Sequence, residues 1–173
     1  VGKVASVNGR YYAMDRDQRW DRVEKAYHCL TEGVGTKAGS ALEAIRKSYQ
    51  EKVTDEFVLP TVIEAVMPDG LIRDDDGVIF FNFRADRARE LTRAFAEDGF
   101  NEFPRKRQLQ LASYTTMTRY DETFKLPVAY APREIRKILG ELASEAGIRQ
   151  LRIAETEKYA HVTYFFNGGE EKK

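Results

Sequence analysis

The chain has 173 residues, of which 42% are hydrophobic and 12% aromatic, enough for one ordinary globular core. Its 28 Lys and Arg residues balance 28 Asp and Glu residues, so the zero net charge provides no general attraction to nucleic acid or membranes. The single cysteine, Cys29, rules out an internal disulfide. No apolar run approaches the ~20 residues of a membrane span, and no signal peptide is recognisable. The sequence begins without Met on an apolar segment, and we expect it to be a piece of a longer protein.

The first segment predicts a strand followed by a helix. Residues 1–7 alternate as a strand does, and Asn8-Gly9 signals a turn. A helix is expected from Asp17 to the glycine at residue 33. Its apolar stripe consists of Trp20, Val23, Tyr27 and Leu30.

Two arginines precede that helix. Arg10 and Arg16 flank the pair Tyr11-Tyr12, whose rings could form the wall of a pocket. Asp15 or Asp17 is expected to cap the helix. Arg16 could instead be a surface arginine that pairs with these two acidic residues.

The next segment contains a glycine-rich loop, a helix and an extended stretch. Residues 33–39 fit neither phosphate-loop spacing and are interpreted as a helix–helix connector. Ser40 and Glu43 form a capping box at the start of a helix. We expect its apolar stripe to contain Leu42, Ile45, Tyr49 and Val53. Residues 57–66 predict a short extended segment broken by Pro60.

The central stretch, GVIFFNFRADRARELTRAF at residues 77–95, predicts a strand and then a helix. The apolar run at 78–81 is typical of a strand that is buried on both faces. In the helix, one stripe is predicted to face the core and the opposite one to carry solvated ion pairs. The core stripe comprises Arg84, Arg87, Ala88, Leu91 and Phe95, and the opposite stripe Asp86, Arg89, Glu90 and Arg93.

Arg84 and Arg87 fall where the strand changes into the helix. A helix N-terminus carries partial positive charge and unpaired N–H groups, so two cations there are unfavourable. A bound anion would resolve the conflict, because N–H groups and guanidinium groups would both face it. The alternative is that both arginines pair with acidic side chains from elsewhere.

The remainder continues the alternation of strands and helices. Strands are expected at 109–117, 128–130 and 151–154, and an amphipathic helix is expected from Pro132. Lys158 lies in the first turn of a final helix, and the basic triplet at 105–107 is interpreted as solvated surface. The predicted fold class is α/β, a mostly parallel sheet flanked by helices. Ligands collect at the carboxyl ends of strands in such sheets, which would bring Arg84, Arg87 and Lys158 together.

The predicted site lacks groups for a chemical step. No Ser, Thr or Cys is paired with a base, and His28 and His161 are the only histidines. No pattern of histidines or carboxylates suggests a metal site. The residues therefore predict a clamp for a small, multiply charged anion.

Several motifs resemble the cofactor-independent (2,3-bisphosphoglycerate-independent) phosphoglycerate mutases. These motifs are GRYYAMDRDQRWDRVEKAY, GVIFFNFRADRARELTRAF, TMTRYDETF and AETEKYAHVTYFFNGG. The resemblance implies a two-domain, metal-dependent isomerase of the alkaline phosphatase superfamily. Such enzymes interconvert 3-phosphoglycerate and 2-phosphoglycerate through a phosphoserine, with two manganese ions. Ala85 stands where proline is usual in this family, and Arg119 where an acidic residue is common.

The resemblance also implies roles for individual residues. It makes Arg10, Arg16, Arg84, Arg87 and Lys158 the substrate-binding residues, with Lys158 contacting the transferring phosphoryl group. The nucleophilic serine and the ligands of both manganese ions would lie outside this sequence. Residues 1–135 would belong to the phosphotransferase domain, and 136–173 would begin the return to the phosphatase domain.

Further expectations concern the whole protein and its alternatives. The resemblance implies a cytoplasmic, monomeric glycolytic enzyme that acts on a small molecule, not on nucleic acid or membranes. The isolated segment is predicted to be inactive. A non-catalytic module that binds phosphate or carboxylate with the same residues is the alternative function.

Overall fold

The computed structural model describes residues 2–131, 133 and 135–169. The chain divides into two compact units, with the boundary between Tyr130 and Ala131. Pro132, the expected start of a helix, lies outside the described residues.

The first unit begins with a mixed three-stranded sheet. Strand β1 (Ser6–Val7) pairs antiparallel with β3 (Thr61–Ile63), and β2 (Thr36–Ala38) pairs parallel with the other edge of β3. The interpretation of residues 33–39 as a plain connector is therefore wrong. This segment is extended because its N–H groups find partners across the sheet, as when Thr36 donates to the carbonyl of Pro60 at 2.9 Å.

A second, parallel pair of strands forms the other sheet of this unit. Strand β4 (Gly77–Phe80) pairs with β5 (Ser113–Thr116), and a parallel bridge to Val128 extends the pairing. These parallel strands confirm the predicted α/β class. The prediction that residues 78–81 are buried on both faces is wrong, because Ile79 is 70% exposed and Phe81 is 78% exposed. Alternate side chains point to opposite faces of a strand, and only one face of β4 meets the core.

The helices of this unit are α1 (Arg10–Ala13), α2 (Trp20–Glu32), α3 (Ala41–Gln50) and α4 (Arg89–Ala96). Single 3₁₀ turns occur at Asp55–Phe57, Glu64–Val66 and Ala85–Arg87. Two predicted helix boundaries are confirmed. Gly33 ends α2 with a φ of 70°, and the hydroxyl of Ser40 accepts the N–H of Glu43 at 3.2 Å.

The predicted apolar stripe of α3 is wrong in part. Leu42 is 58% exposed and Tyr49 is 47% exposed, whereas Ala44 is buried. Ala44 packs with Ala38 and Ile63 in a small core cluster. The close approach of α3 to the sheet requires small side chains, so its alanines face inward.

An aromatic core holds α2 against α4. Tyr27 of α2 lies 4.8 Å from Phe95 of α4 between ring centroids, and both side chains are buried. The cluster contains Val23, Tyr27, Leu91, Ala94, Phe95, Phe100, Phe103, Leu109 and Tyr114. By holding α2 and α4 together, this cluster also positions the segments that precede the two helices. Those segments carry the candidate site residues.

The second unit is built differently. It contains α5 (Leu139–Glu145), a 3₁₀ turn at Thr156–Lys158 and a π-helical turn at His161–Phe165. The predicted strand at 151–154 is wrong: this segment is irregular, and Leu151 is 85% exposed. An apolar run becomes a strand only where a neighbouring strand accepts its hydrogen bonds, and none of the described residues pairs with it.

Candidate functional site

Arg10 opens α1, immediately after a glycine that allows close packing. A side chain at Gly9 would overlap the backbone of Glu56 and Val58, and the N–H of Gly9 donates to the carbonyl of Val58 at 2.8 Å. The result is that Arg10 Nη2 lies 2.6 Å from a carboxylate oxygen of Glu56. This pair is half-exposed and stays accessible to a competing anion.

Arg16 lies in a loop whose backbone is held in place by hydrogen bonds to the carboxylate of Asp15. The buried Asp15 carboxylate accepts the N–H groups of Asp17 and Arg19, both at 2.9 Å. Burial raises the pKa of Asp15, but these N–H groups and the guanidinium of Arg19 outweigh it and lower the pKa. Asp15 therefore organises the loop before α2. The helix itself begins at Trp20 without a side-chain cap, so the expectation that Asp15 or Asp17 caps it is wrong.

Arg84 and Arg87 flank a tight turn, not the first turn of α4 itself. The N–H of Arg84 is held by Oδ1 of Asn82 at 3.1 Å, and the 3₁₀ turn Ala85–Arg87 follows. The hydroxyl of Tyr120 donates to the carbonyl of Phe80 at 2.8 Å and anchors the end of β4. The site therefore lies at the carboxyl end of a parallel strand, as in other open α/β sheets.

Asp86 connects Arg16 with Arg84. Its carboxylate accepts from Nη1 of Arg16 at 3.0 Å and from Nε of Arg84 at 2.8 Å. Burial raises the pKa of Asp86, but the guanidinium groups of Arg84 and Arg16 outweigh it and hold the pKa below its usual value. Arg84 thus pairs with an acid of its own turn and not with one from elsewhere in the chain. Arg16 is only 14% exposed, so it is not the surface arginine of the alternative.

Arg87 has a different environment. Its Nη1 donates to the carbonyl of Met14 at 3.0 Å, and its Nε is buried with no hydrogen-bond partner among the described residues. Burial lowers the pKa of Arg87, as do the positive charges of Arg16, Arg10 and Arg84, against which Asp86 acts in the opposite direction. The structure thus brings four of the five predicted residues into one electropositive cluster.

Lys158 belongs to the second unit. It ends the 3₁₀ turn Thr156–Lys158, and its Nζ lies 3.1 Å from a carboxylate oxygen of Glu155 at the surface. Residues 151–154 do not form a strand, so the sheet edge that was expected to carry Lys158 is absent from this segment. Its association with the arginines stays a prediction.

The predicted ion-pair stripe of α4 is wrong. Arg93 pairs with Glu97, and Nε of Arg89 donates to the carbonyl of Tyr120 at 2.6 Å. Glu90 is only 6% exposed and accepts the N–H of Gln18 at 2.8 Å. Helix periodicity placed it on the solvent side, because the loop that covers it is remote in sequence.

Glu90 is a buried carboxyl group beside the site that the sequence did not reveal. Its Oε2 has no hydrogen-bond donor among the described residues. Burial, and the nearby carboxylates of Asp15 and Asp17, raise its pKa to about 7, although the N–H of Gln18 acts in the opposite direction. Asp15 keeps the lower pKa of the two carboxyl groups because it accepts two backbone N–H groups, whereas Glu90 accepts one.

The basic triplet at 105–107 has structural contacts. Arg105 Nη1 donates to the carbonyl of Ala94 at 2.8 Å, Lys106 pairs with Glu32 at 2.6 Å, and Arg107 pairs with Asp74. These contacts agree with the interpretation of the triplet as surface.

The described ranges contain neither a metal-binding group of side chains nor a membrane-spanning helix. No three His, Cys, Asp or Glu side chains of the described chain are grouped so that they could hold a metal ion. The described residues therefore do not fit the two manganese ions that the resemblance implies. No helix within residues 2–131, 133 and 135–169 is long and apolar enough to cross a membrane.

The fold and site define an α/β protein that carries a cluster of arginines at the carboxyl end of a parallel strand. A family model described as the N-terminus of BPG-independent phosphoglycerate mutase matches residues 1–122. The chain belongs to this family.

Two relatives of the chain, from different bacteria, carry the same name. It is 62% identical over 173 residues to a 2,3-bisphosphoglycerate-independent phosphoglycerate mutase of Myxococcus xanthus, covering 99% of this chain and 34% of that protein. It is 57% identical to the enzyme of the same name from Symbiobacterium thermophilum, covering 99% of this chain and 33% of the relative. The chain therefore spans about a third of the length of these relatives.

A solved structure has the same fold. The crystal structure of Leishmania mexicana phosphoglycerate mutase at low cobalt concentration superposes with a TM-score of 0.80 at 37% identity. The match covers 98% of this chain and 32% of that protein. The α/β architecture therefore holds across nearly the whole chain.

Proposed function

We propose that this chain is the substrate-binding part of a phosphoglycerate mutase that interconverts 3-phosphoglycerate and 2-phosphoglycerate without 2,3-bisphosphoglycerate. The observation that carries the proposal is the convergence of arginines from two segments. Asp86 holds both Arg16 and Arg84, and Arg87 contacts the carbonyl of Met14 in the segment that carries Arg16. Burial and the charges of Arg16, Arg10 and Arg84 lower the pKa of Arg87. Clustered guanidinium groups are unfavourable unless an anion balances them. A phosphoglycerate supplies both a phosphate and a carboxylate.

The cluster suits this substrate in geometry as well as in charge. Guanidinium groups bind carboxylate and phosphate through paired N–H donors. Arg10 and Arg16 come from one segment, and Arg84 and Arg87 come from the turn after β4. Donors from two separate segments can hold the two charged ends of one small molecule.

The chemical step needs groups beyond this cluster. We assign Lys158 to the transferring phosphoryl group, whose negative charge an ammonium group stabilises. The phosphoserine and the manganese ligands would come from parts of the protein outside this chain. We assign residues 1–135 to the phosphotransferase domain and 136–173 to the return into the phosphatase domain, in a monomeric cytoplasmic enzyme.

A coupled mutase assay tests the proposal. The protein at its full natural length is assayed with 3-phosphoglycerate in the absence of 2,3-bisphosphoglycerate, with and without EDTA. We expect turnover that needs no bisphosphate and that EDTA abolishes. No activity with manganese supplied would contradict the proposal, as would turnover by the pure 173-residue chain alone.

A non-catalytic anion-binding module is the second candidate. It is favoured by one observation: the described residues hold an anion-binding cluster without a metal-binding group of side chains. A full-length protein that binds phosphate but lacks mutase activity with manganese would support this candidate instead.

A further inference from the structure

Asp86 holds two arginines of the proposed substrate site with one carboxylate. Its Oδ1 accepts from Nε of Arg84 at 2.8 Å, and its Oδ2 accepts from Nη2 of the same group at 3.1 Å. Oδ2 also accepts from Nη1 of Arg16 at 3.0 Å. Asp86 lies 70 residues from Arg16 in sequence, so it joins the two segments that form the cluster.

We propose that Asp86 is a positioning residue for phosphoglycerate binding, which orients the guanidinium groups of Arg16 and Arg84 and does not itself contact the substrate. This inference rests on the proposed function.

The contact between Asp86 and the arginines is shielded from water, and its geometry is fixed. The side chains of Asp86 and Arg16 are each 14% exposed, so water competes weakly for their hydrogen bonds. Two parallel hydrogen bonds to one edge of a guanidinium fix its plane as well as its position. An arginine that is already ordered loses less conformational entropy when a ligand binds.

The location of Asp86 favours a positioning role over direct contact. It is the middle residue of the 3₁₀ turn Ala85–Arg87, between Arg84, which precedes the turn, and Arg87, which ends it. A carboxylate repels a bound phosphate or carboxylate, so its presence inside an anion site has a cost. Orientation of the arginines is the benefit that offsets this repulsion.

Asp86 has two opposite effects on substrate affinity: orientation of the arginines raises it, and repulsion of the anion lowers it. A substitution at Asp86 shows which effect is larger. Asp86→Asn keeps the shape but removes the charge, and its single acceptor oxygen cannot serve both arginines equally. If orientation dominates, the variant binds phosphoglycerate more weakly. If repulsion dominates, the variant binds it more tightly.

The test compares kinetics and anion binding in the protein at its full natural length. For Asp86→Asn we expect kcat/KM for 3-phosphoglycerate to fall about 10- to 100-fold, mainly through KM, because small misplacements of binding groups are costly. Inorganic phosphate, which has no second anionic group to align, should inhibit with unchanged or greater affinity. Glu97→Gln is the matched control: it removes a carboxylate that pairs with Arg93 at the surface, and its kinetics should not change.

Each other outcome has a definite meaning. A lower KM would overturn the proposal, as would a lower melting temperature with unchanged kinetics, which indicates a purely structural role. If Asp86→Asn does not fold, Asp86→Glu replaces it; this variant keeps the charge, moves the acceptors and should lose kcat/KM several-fold. Failure of both variants to fold would also overturn the proposal. An inactive wild-type protein would refute the proposed function, and this inference with it.

Discussion

The two units of the chain differ in how their apolar residues are used. In the first unit, Phe95 and Tyr27 are buried in an aromatic core that fixes the arginine cluster. In the second unit, Leu151 and Ile153 are more than 80% exposed, and Gly140 is the only buried residue among those described. Similar apolar patterns thus yield packed elements in one unit and exposed segments in the other. A local pattern specifies a structure only where the chain also supplies a partner surface.

The largest expected effect contrasts these two kinds of apolar residue. Phe95→Ala should lower the free energy of unfolding by about 3–5 kcal/mol, because it leaves a cavity in the aromatic core. Leu151→Ala should change it by less than about 0.5 kcal/mol, because its side chain is already in water. Urea unfolding of both variants checks the contrast. Equal losses would mean that the second unit has a core of its own.

The second-largest expected effect compares two arginines of the first unit, Arg84 in the proposed substrate site and Arg89 outside it. In the full-length protein, Arg84→Ala should lower kcat/KM about 100-fold, since it removes a charged hydrogen-bond donor from the substrate site. Arg89→Ala should lower it less than about tenfold, because Arg89 is held by the carbonyl of Tyr120 away from the cluster. Steady-state kinetics with 3-phosphoglycerate measures both. Similar losses would contradict the assignment of Arg84 to the substrate site and of Arg89 to a structural contact outside it.

A pH-dependent stability is expected from the buried carboxyl of the first unit. The pKa of Glu90 is raised from 4.5 to about 7, mainly by burial, so the folded state binds this proton more tightly than the unfolded state. Stability from this group is therefore present below about pH 4.5 and is lost as the pH rises through about 7. Thermal unfolding at a series of pH values measures the loss.

Glu90→Gln should remove this dependence. Its amide can still accept the N–H of Gln18, and it stays uncharged at every pH. At pH 8 the variant should be more stable than the wild type by up to about 3 kcal/mol, and at pH 4.5 the two should be equal. Glu97→Gln, at the surface, is the control. An unchanged pH profile in Glu90→Gln would contradict the account of this carboxyl.

The smallest expected effects on stability come from removing one local polar contact in each unit. Ser40→Ala removes the side chain that caps α3 and should cost about 1 kcal/mol. Glu155→Gln removes the exposed partner of Lys158 and should leave the unfolding midpoint unchanged, because exposed ion pairs contribute little to stability. Both are read from the midpoint of urea unfolding. A larger loss for Glu155→Gln would mean that the second unit depends on this ion pair.

Local signals explain what the sequence could predict. Helix α2 was predictable because its apolar stripe and terminal Gly33 lie within one segment. Cations before a helix are unusual, and this signal singled out four arginines that the structure places near one another. Their role in binding stays a prediction. Strand β2 was not, because its hydrogen-bond partners near Pro60 are remote in sequence.

Tertiary contacts explain what the sequence could not predict. Glu90 looks like a surface residue until the loop containing Gln18 covers it. Asp86 looks like a helix-surface acid until Arg16 reaches it from another segment. Both roles depend on which distant segments meet, and no periodicity within α4 contains that information.

The most direct test of the central claim is a crystal structure of the full-length protein with 3-phosphoglycerate bound. We expect the guanidinium groups of Arg16, Arg84 and Arg87 to lie within about 3.2 Å of substrate oxygens. We also expect Asp86 to join Arg16 and Arg84 still and not to touch the ligand. Substrate bound elsewhere, with no contact to these arginines, would contradict the assignment of the arginine cluster to substrate binding.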